Sequence, residues 1–178
     1  MMMKRFLMIA LAAVMLLSLC ACGADDPDAN ATDPTKDGNV TPSTTPVGYT
    51  FTYNDYQFGV NMAVEAVLKQ LGEPVQKLES ESCAFGGKDT VYYYDGIQIS
   101  SNDEDGYDRI YSIYLESDLV STEKNICIGD SADKVKSAYG EPGEGSTETN
   151  LVYTKDGMTL SFNLKDGTVS SILYNDPA

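Results

Sequence analysis

The 178-residue chain has no histidine and no tryptophan, and its 12 lysines and arginines face 27 aspartates and glutamates, for a formal net charge of −15. Without histidine it lacks the commonest general base, the commonest metal ligand and every Ser–His or Cys–His nucleophile arrangement. We therefore predict no catalytic residue, no metal and no cofactor. An acidic chain is repelled by phosphate backbones, which argues against nucleic-acid binding.

A membrane-spanning hydrophobic run is not evident at the start of the chain. The apolar stretch 6–17 has 12 residues, whereas a membrane span needs about 20. It follows Lys4 and Arg5, and a short apolar core behind a basic start is typical of a signal peptide.

The residues after this core, Leu19-Cys20-Ala21-Cys22-Gly23, resemble a bacterial lipobox. The resemblance implies that residues 1–21 are a lipoprotein signal peptide and that Cys22 carries diacylglycerol. The mature protein would then be anchored by lipid on the extracytoplasmic face of a bacterial cell membrane. The alternative is an ordinary secretory signal with two incidental cysteines.

The next segment, residues 22–48, is poor in residues that form a core. From Gly23 to Gly48 it contains no aromatic residue, leucine, isoleucine or methionine. Such a composition cannot bury enough surface to offset the entropy of ordering. We predict a disordered linker here.

The rest of the chain contains an internal similarity. Residues 60–74 align with 128–142 without a gap, and both segments end in Gly-Glu-Pro. Further downstream, residues 92–99 align with 153–160. The offset is 68 residues for the first pair of segments and 61 for the second, and matches that recur in the same order indicate a duplication. We predict repeat 1 over residues 49–118 and repeat 2 over residues 119–178.

Each predicted repeat changes its hydrophobic period along the chain. Apolar residues first recur at helical spacing, and then alternate with polar residues as in a half-buried strand. Asp156-Gly157 and Asp166-Gly167 bracket one such strand and favour tight hairpin turns. We predict an α+β fold of two tandem repeats, each a short helix or helix pair packed on a three- to four-stranded antiparallel meander.

Several residues of the second repeat carry a family resemblance. They are Gly129-Asp130-Ser131, Val135, Tyr139 to Pro142, Tyr153, Phe162, and Asp166-Gly167-Thr168-Val169 through Ile172. This pattern resembles the SmpA/OmlA (BamE-like) lipoprotein domain, and its tandem arrangement is similar to that of the beta-lactamase inhibitor protein. The resemblance implies a non-enzymatic envelope protein that binds other proteins, often across its sheet.

Two cysteines, Cys83 and Cys127, remain besides those near the lipobox. Outside the cytosol such a pair can oxidise, and a bridge here would join the two repeats. The alternative is two free thiols.

The acidic segment 102–106 invites a calcium hypothesis. An EF-hand pattern anchored on Gly106 would need ligands at Ser101 and Ser112, and neither residue suits it. We predict a charged hairpin tip.

Tyrosines and small polar residues alternate along the predicted strands, and tyrosine supplies contact area at low entropy cost. We predict that the open face of the sheet presents a binding surface made of Tyr93, Gln98, Ser100, Val152, Thr159, Ser161 and Asn163. Their partner would be an extracytoplasmic protein, bound by a monomer. The alternative for these residues is that they are ordinary solvated strand positions.

Two other functions stay open at this stage. One is a small-solute-binding lipoprotein, which would need a pocket of about 300 Å³ or more. The other is a glycosidase with two carboxylates about 5–10 Å apart.

Overall fold

The computed structural model describes residues 43–176. The predicted signal peptide, the lipidation site Cys22 and most of the predicted linker lie outside the described residues. The described residues belong to one compact unit, Asn39–Ala178.

Residues 43–176 form nine strands and two short helices, with one 3-10 turn at Glu104–Gly106. In chain order the helices and strands are β1 Phe51–Tyr53, β2 Tyr56–Phe58, α1 Val64–Leu71, β3 Gln76–Glu81, β4 Lys88–Tyr94, β5 Ile97–Asn102, β6 Arg109–Leu115, α2 Ala132–Tyr139, β7 Asn150–Lys155, β8 Met158–Lys165 and β9 Thr168–Asn175.

Seven of the strands form one antiparallel sheet in the order β3-β4-β5-β6-β9-β8-β7. The predicted fold class is therefore wrong. The protein is mostly β, with a single continuous sheet, and is not two tandem helix-on-meander repeats. The physical reason is the pairing of β6 with β9, in which Ser112 lies opposite Asn175 and Leu115 opposite Ile172. Without this pairing, β6 and β9 would each leave a row of unpaired backbone N–H and C=O groups at an exposed sheet edge.

The turns at Asp156-Gly157 and Asp166-Gly167 occur where the sequence predicts them. They join β7 to β8 and β8 to β9, and all four residues have positive φ, as a type I′ hairpin turn requires. A third hairpin of this kind, at Asn54-Asp55, joins β1 to β2.

Both helices begin and end near the positions that the apolar spacing indicates. The Ser131 side chain caps α2 by accepting a hydrogen bond from the Lys134 N–H, whereas Ala63 gives α1 no side-chain cap. Each helix is also tied to the sheet by a tyrosine. The Tyr94 hydroxyl donates to the Gly72 carbonyl (2.8 Å), and the Tyr153 hydroxyl donates to the Gly140 carbonyl (3.1 Å).

The hydrophobic core lies on one face of the seven-stranded sheet. Alternate residues of the strands point into it, and both helices pack there. The β1-β2 hairpin covers the same face, since Phe51 contacts the ring of Tyr174 with centroids 5.9 Å apart. Tyr53 likewise contacts Tyr94, at 6.0 Å. The hairpin does not cover the opposite face of the sheet, which we call the open face.

Residues 43–48, which the composition assigns to the linker, contact the folded unit. The Ser43 N–H donates to the Asn61 carbonyl (3.2 Å), and the Ser43 carbonyl accepts from Ala63 (3.0 Å). Gly48 lies directly against Met158 and the Lys155 carbonyl. These backbone contacts need no large apolar side chain, and composition gives no sign of them.

Candidate functional site

The strand register aligns one row of side chains across the whole open face of the sheet. Each strand contributes one residue to this row, which we call the first row: Val152, Ser161, Leu173, Tyr114, Gln98, Tyr93 and Gln76.

A second row runs parallel to the first, and on each strand its member is two residues away from that of the first row. It consists of Thr154, Thr159, Asn175, Ser112, Ser100, Val91 and Leu78. Six inter-strand spacings of about 4.8 Å make the face about 29 Å wide. None of the fourteen side chains in the two rows is buried.

All seven residues predicted from the sequence lie on this face. Tyr93, Gln98, Val152 and Ser161 belong to the first row, and Ser100 and Thr159 to the second. Asn163 flanks the rows, opposite Asn150 and Ser171.

Sequence reasoning missed several members of the rows, among them Tyr114 and Leu173. Both lie at the β6–β9 junction, where Tyr114 pairs with Leu173. The alternation of apolar and polar residues within β6 and β9 shows that Tyr114 and Leu173 face away from the core. It does not show that these two strands are neighbours.

The two rows contain no charged residue, although the chain has 27 acidic residues. Glu116, beside the rows, accepts a hydrogen bond from the Gln98 amide through its carboxylate (2.6 Å). The Tyr93 and Tyr114 hydroxyls make no hydrogen bond within residues 43–176. They are therefore free to bond a partner.

A loop closes one end of the open face. Phe85 from the β3–β4 connection packs on Tyr111, with ring centroids 5.4 Å apart. The Asn102 amide holds this loop by donating to the carbonyls of Gly86 (3.0 Å) and Lys88 (3.2 Å). Burial, followed by the charge of Asp89, raises the pKa of Tyr111. The open face is thus bounded by an aromatic pair at this end.

The acidic segment at the β5–β6 connection forms a turn. Asp103 accepts a hydrogen bond from the Lys88 N–H, and Asp89 accepts one from the Asn102 amide (2.8 Å). These carboxylates therefore stabilise the loop that closes the open face. Within residues 43–176 no group of three or more acidic or cysteine side chains is arranged to hold a metal ion.

Cys83 and Cys127 are not joined in the structure, and both thiols are free. Cys83 is exposed in the β3–β4 loop, whereas Cys127 is half-buried before α2. The Cys127 N–H donates to the Asp130 carboxylate (2.9 Å), which also accepts from the Lys134 ammonium (2.7 Å). Burial and the contact with Asp130 raise the pKa of the Cys127 thiol, so this thiol is a poor nucleophile.

The same contacts predict an acid-dependent loss of stability. The Lys134 hydrogen bond, and then the Cys127 N–H, lower the pKa of Asp130. A carboxyl with a lowered folded pKa contributes stability that is present above its unfolded pKa, near 3.9, and is lost as the pH falls through the folded pKa. Asp130→Asn should therefore lower the free energy of unfolding by about 1 kcal/mol at pH 7, and by much less at pH 2.

Urea unfolding between pH 2 and pH 7 measures this difference. Asp133→Asn is the matched control, because Asp133 lies three residues further along the chain, is exposed in the first turn of α2 and takes part in no ion pair within residues 43–176. An Asp130→Asn deficit that does not change with pH would contradict the assignment.

A groove of about 640 Å³ lies at the other side of the sheet, between α1 and the edge strand β3. Its lining includes the apolar side chains of Val64 and Leu68, the ring of Tyr92 and the carboxyl of Asp108. Burial raises the pKa of the Asp108 carboxyl, and its Oδ1 atom is buried without a hydrogen-bond partner among the described residues. No reasoning from the sequence indicated this groove, because it depends on how far α1 extends over the sheet.

No helix within residues 43–176 is long and apolar enough to cross a membrane. Comparison with known proteins adds little. No protein-family model matches the chain, and no curated protein matches it. The resemblance to the SmpA/OmlA (BamE-like) domain therefore stays a prediction.

Among solved structures, the chain is similar to an extracellular protein containing a SCP domain from Bacillus anthracis str. Ames. The two are 15% identical with a TM-score of 0.37, over 64% of this chain and 42% of that chain. The chain thus spans less than half of that structure. A likeness at this level carries no argument about fold or function.

Proposed function

We propose that this protein is a non-enzymatic binding module of the bacterial cell envelope. It is held by a lipid on Cys22 at the extracytoplasmic face of the cell membrane, and as a monomer it binds another extracytoplasmic protein through the open face. The supporting observation is the pair of uncharged rows that cross all seven strands in a chain of net charge −15.

The rows share two features with the core of a protein interface, which are the absence of charged residues and the presence of Tyr93 and Tyr114. Interface cores are depleted in charged residues and enriched in tyrosine. Tyrosine gives contact area at low entropy cost, and serine, asparagine and glutamine give adaptable hydrogen bonds. A surface that only keeps the protein soluble would carry charges of both signs instead.

The rigidity of the face also favours this function. Each row residue lies on a strand that is paired with at least one neighbouring strand. Little order therefore has to be gained on binding. A rigid surface about 29 Å wide matches a standard interface, which buries about 800 Å² on each partner.

Site-specific photo-crosslinking in the membrane tests the proposal. With p-benzoylphenylalanine at Ser161 in the first row, we expect a covalent adduct with one protein. The same residue at Lys136, which is exposed on α2, should give no such adduct. Equal adducts from both positions would contradict the proposal, as would no protein adduct from Ser161 together with a small molecule that raises Tm.

A pair of arginine variants tests the same face by charge. Ser161→Arg places a charge in the middle of the first row, and we expect at least a tenfold weaker association with the crosslinked protein. Ser137→Arg, at an exposed position of α2, is the matched control and should leave the association unchanged.

A further inference from the structure

Strand β3 is an exposed edge of the sheet. All six of its residues are exposed, and it pairs only with β4. Ser82 and Gly87 continue the β3–β4 register, and the Ser82 N–H donates to the Gly87 carbonyl (3.1 Å). Because backbone groups alternate in direction along an antiparallel strand, the N–H groups of Lys77 and Glu79 point away from β4. They are available to another strand.

The groove between α1 and β3 adjoins this edge. Its apolar floor is formed by Val64, Leu68 and Tyr92, and Val75, the residue before the strand, is 77% exposed. Lys77 lies on this side of the sheet, with its ammonium 5.5 Å from the centre of the Tyr92 ring. A strand added to β3 would direct every second side chain into the groove.

The charges that line the groove are unbalanced. Glu65, Glu73 and Asp108 line it, and none of them takes part in an ion pair within residues 43–176. Of its two lysines, Lys77 binds the Glu79 carboxylate (2.6 Å), and Lys69 takes part in no ion pair within residues 43–176. One free ammonium group thus faces three free carboxylates. The groove therefore favours a cationic side chain, and the net charge of −15 adds to this attraction.

We propose that β3 and the groove bind an extended segment of a basic protein or peptide as an eighth strand of the sheet. The segment pairs its backbone with the outer edge of β3. An apolar side chain of the segment enters the groove, and a lysine or arginine two positions away meets the unpaired carboxylates. A second copy of this chain fits less well, because it brings the same negative charge. Strand β3 contributes Gln76 and Leu78 to the rows of the open face, whereas this site uses the outer edge of β3 and the groove on the opposite side of the sheet.

A synthetic heptapeptide of sequence Thr-Lys-Thr-Val-Thr-Lys-Thr, with blocked ends, is the probe. Its valine and lysines share one face of a strand. We expect it to bind the full-length lipoprotein in detergent, measured by fluorescence anisotropy, and to slow hydrogen–deuterium exchange in Gln76–Glu81. A peptide with glutamate in place of lysine, and one with alternate backbone nitrogens methylated, should each bind at least about tenfold more weakly.

Two variants of the protein separate the groove from general charge attraction. Glu73 and Glu141 each follow the glycine that ends a helix, but only Glu73 lines the groove. We expect Glu73→Lys to weaken binding of the heptapeptide by roughly five- to tenfold, and Glu141→Lys to change it by less than twofold.

Four outcomes would overturn the proposal. They are equal binding of the methylated peptide, equal effects of the two lysine variants, protection of Gln76–Glu81 through self-association without peptide, and displacement of the heptapeptide by a small solute alone.

Discussion

Replacing Phe162 by alanine is expected to lower the free energy of unfolding by about 3–5 kcal/mol. Phe162 lies on the core side of β8 and is fully buried. Its ring contacts the rings of Tyr139 (5.2 Å between centroids) and Tyr153 (5.9 Å). The substitution removes both aromatic contacts and leaves a cavity between α2 and the sheet. Sheet and helix cannot close it without disturbing the strand register.

The neighbouring residue on the same strand supplies the control. Ser161 faces the open side, so Ser161→Ala should change the free energy of unfolding by no more than about 0.5 kcal/mol. Urea denaturation followed by circular dichroism measures both values. Similar losses for the two variants would contradict the assignment of the core to one face of the sheet.

Gly48→Ala is expected to destabilise the protein by about 2–4 kcal/mol. Gly48 has φ +73°, and an added Cβ would lie 2.8 Å from Met158 Cγ and 2.9 Å from the Lys155 carbonyl oxygen. The carbonyl belongs to the backbone of β7 and cannot move without breaking the β7–β8 turn. The substitution should therefore detach the segment that precedes β1.

Gly157→Ala is the matched control for this prediction. Gly157 also has positive φ (+81°), but nothing lies within 4 Å of the position of its Cβ. Its replacement should cost about 1 kcal/mol, which is the conformational strain alone. Thermal unfolding of the two variants measures the difference, and equal shifts in Tm would show that Gly48 does not contact β7.

Local features of the fold could be predicted from the sequence. The helices α1 and α2 lie where apolar residues recur at helical spacing, and the turns at Asp156-Gly157 and Asp166-Gly167 have the backbone conformation that those residues favour. Each of these features depends on residues that are close together in the chain, so a short stretch of sequence contains the information.

The pairing of strands that are distant in sequence could not be predicted in this way. β6 and β9 meet although Leu115 and Ile172 belong to opposite halves of the folded part. The alternation of apolar and polar residues shows which side of a strand is buried, but it does not show which strand lies next to it in the sheet. Strand β3 was missed for another reason: its six residues are all exposed and carry no apolar alternation.

The candidate site likewise has a part that could be predicted from local sequence and a part that depends on strand pairing. The seven predicted residues could be placed on the open face because alternation alone decides which side of a strand is open; their role in binding stays a prediction. Tyr114 and Leu173 complete the first row only because β6 adjoins β9. The groove beside β3 was not predicted, since its existence depends on the space between a helix and a strand.

The β6–β9 pair also has a consequence for how the chain folds. Among the strand pairs within residues 43–176, it alone is not closed by a local connection between consecutive strands. The long chain closure that it requires is slow compared with hairpin formation. During folding, β6 and β9 would both be exposed as unpaired edges, and each would be able to associate with a neighbouring chain until they meet. A substitution that weakens the β6–β9 pairing should therefore promote aggregation during refolding more than it lowers the free energy of unfolding at equilibrium.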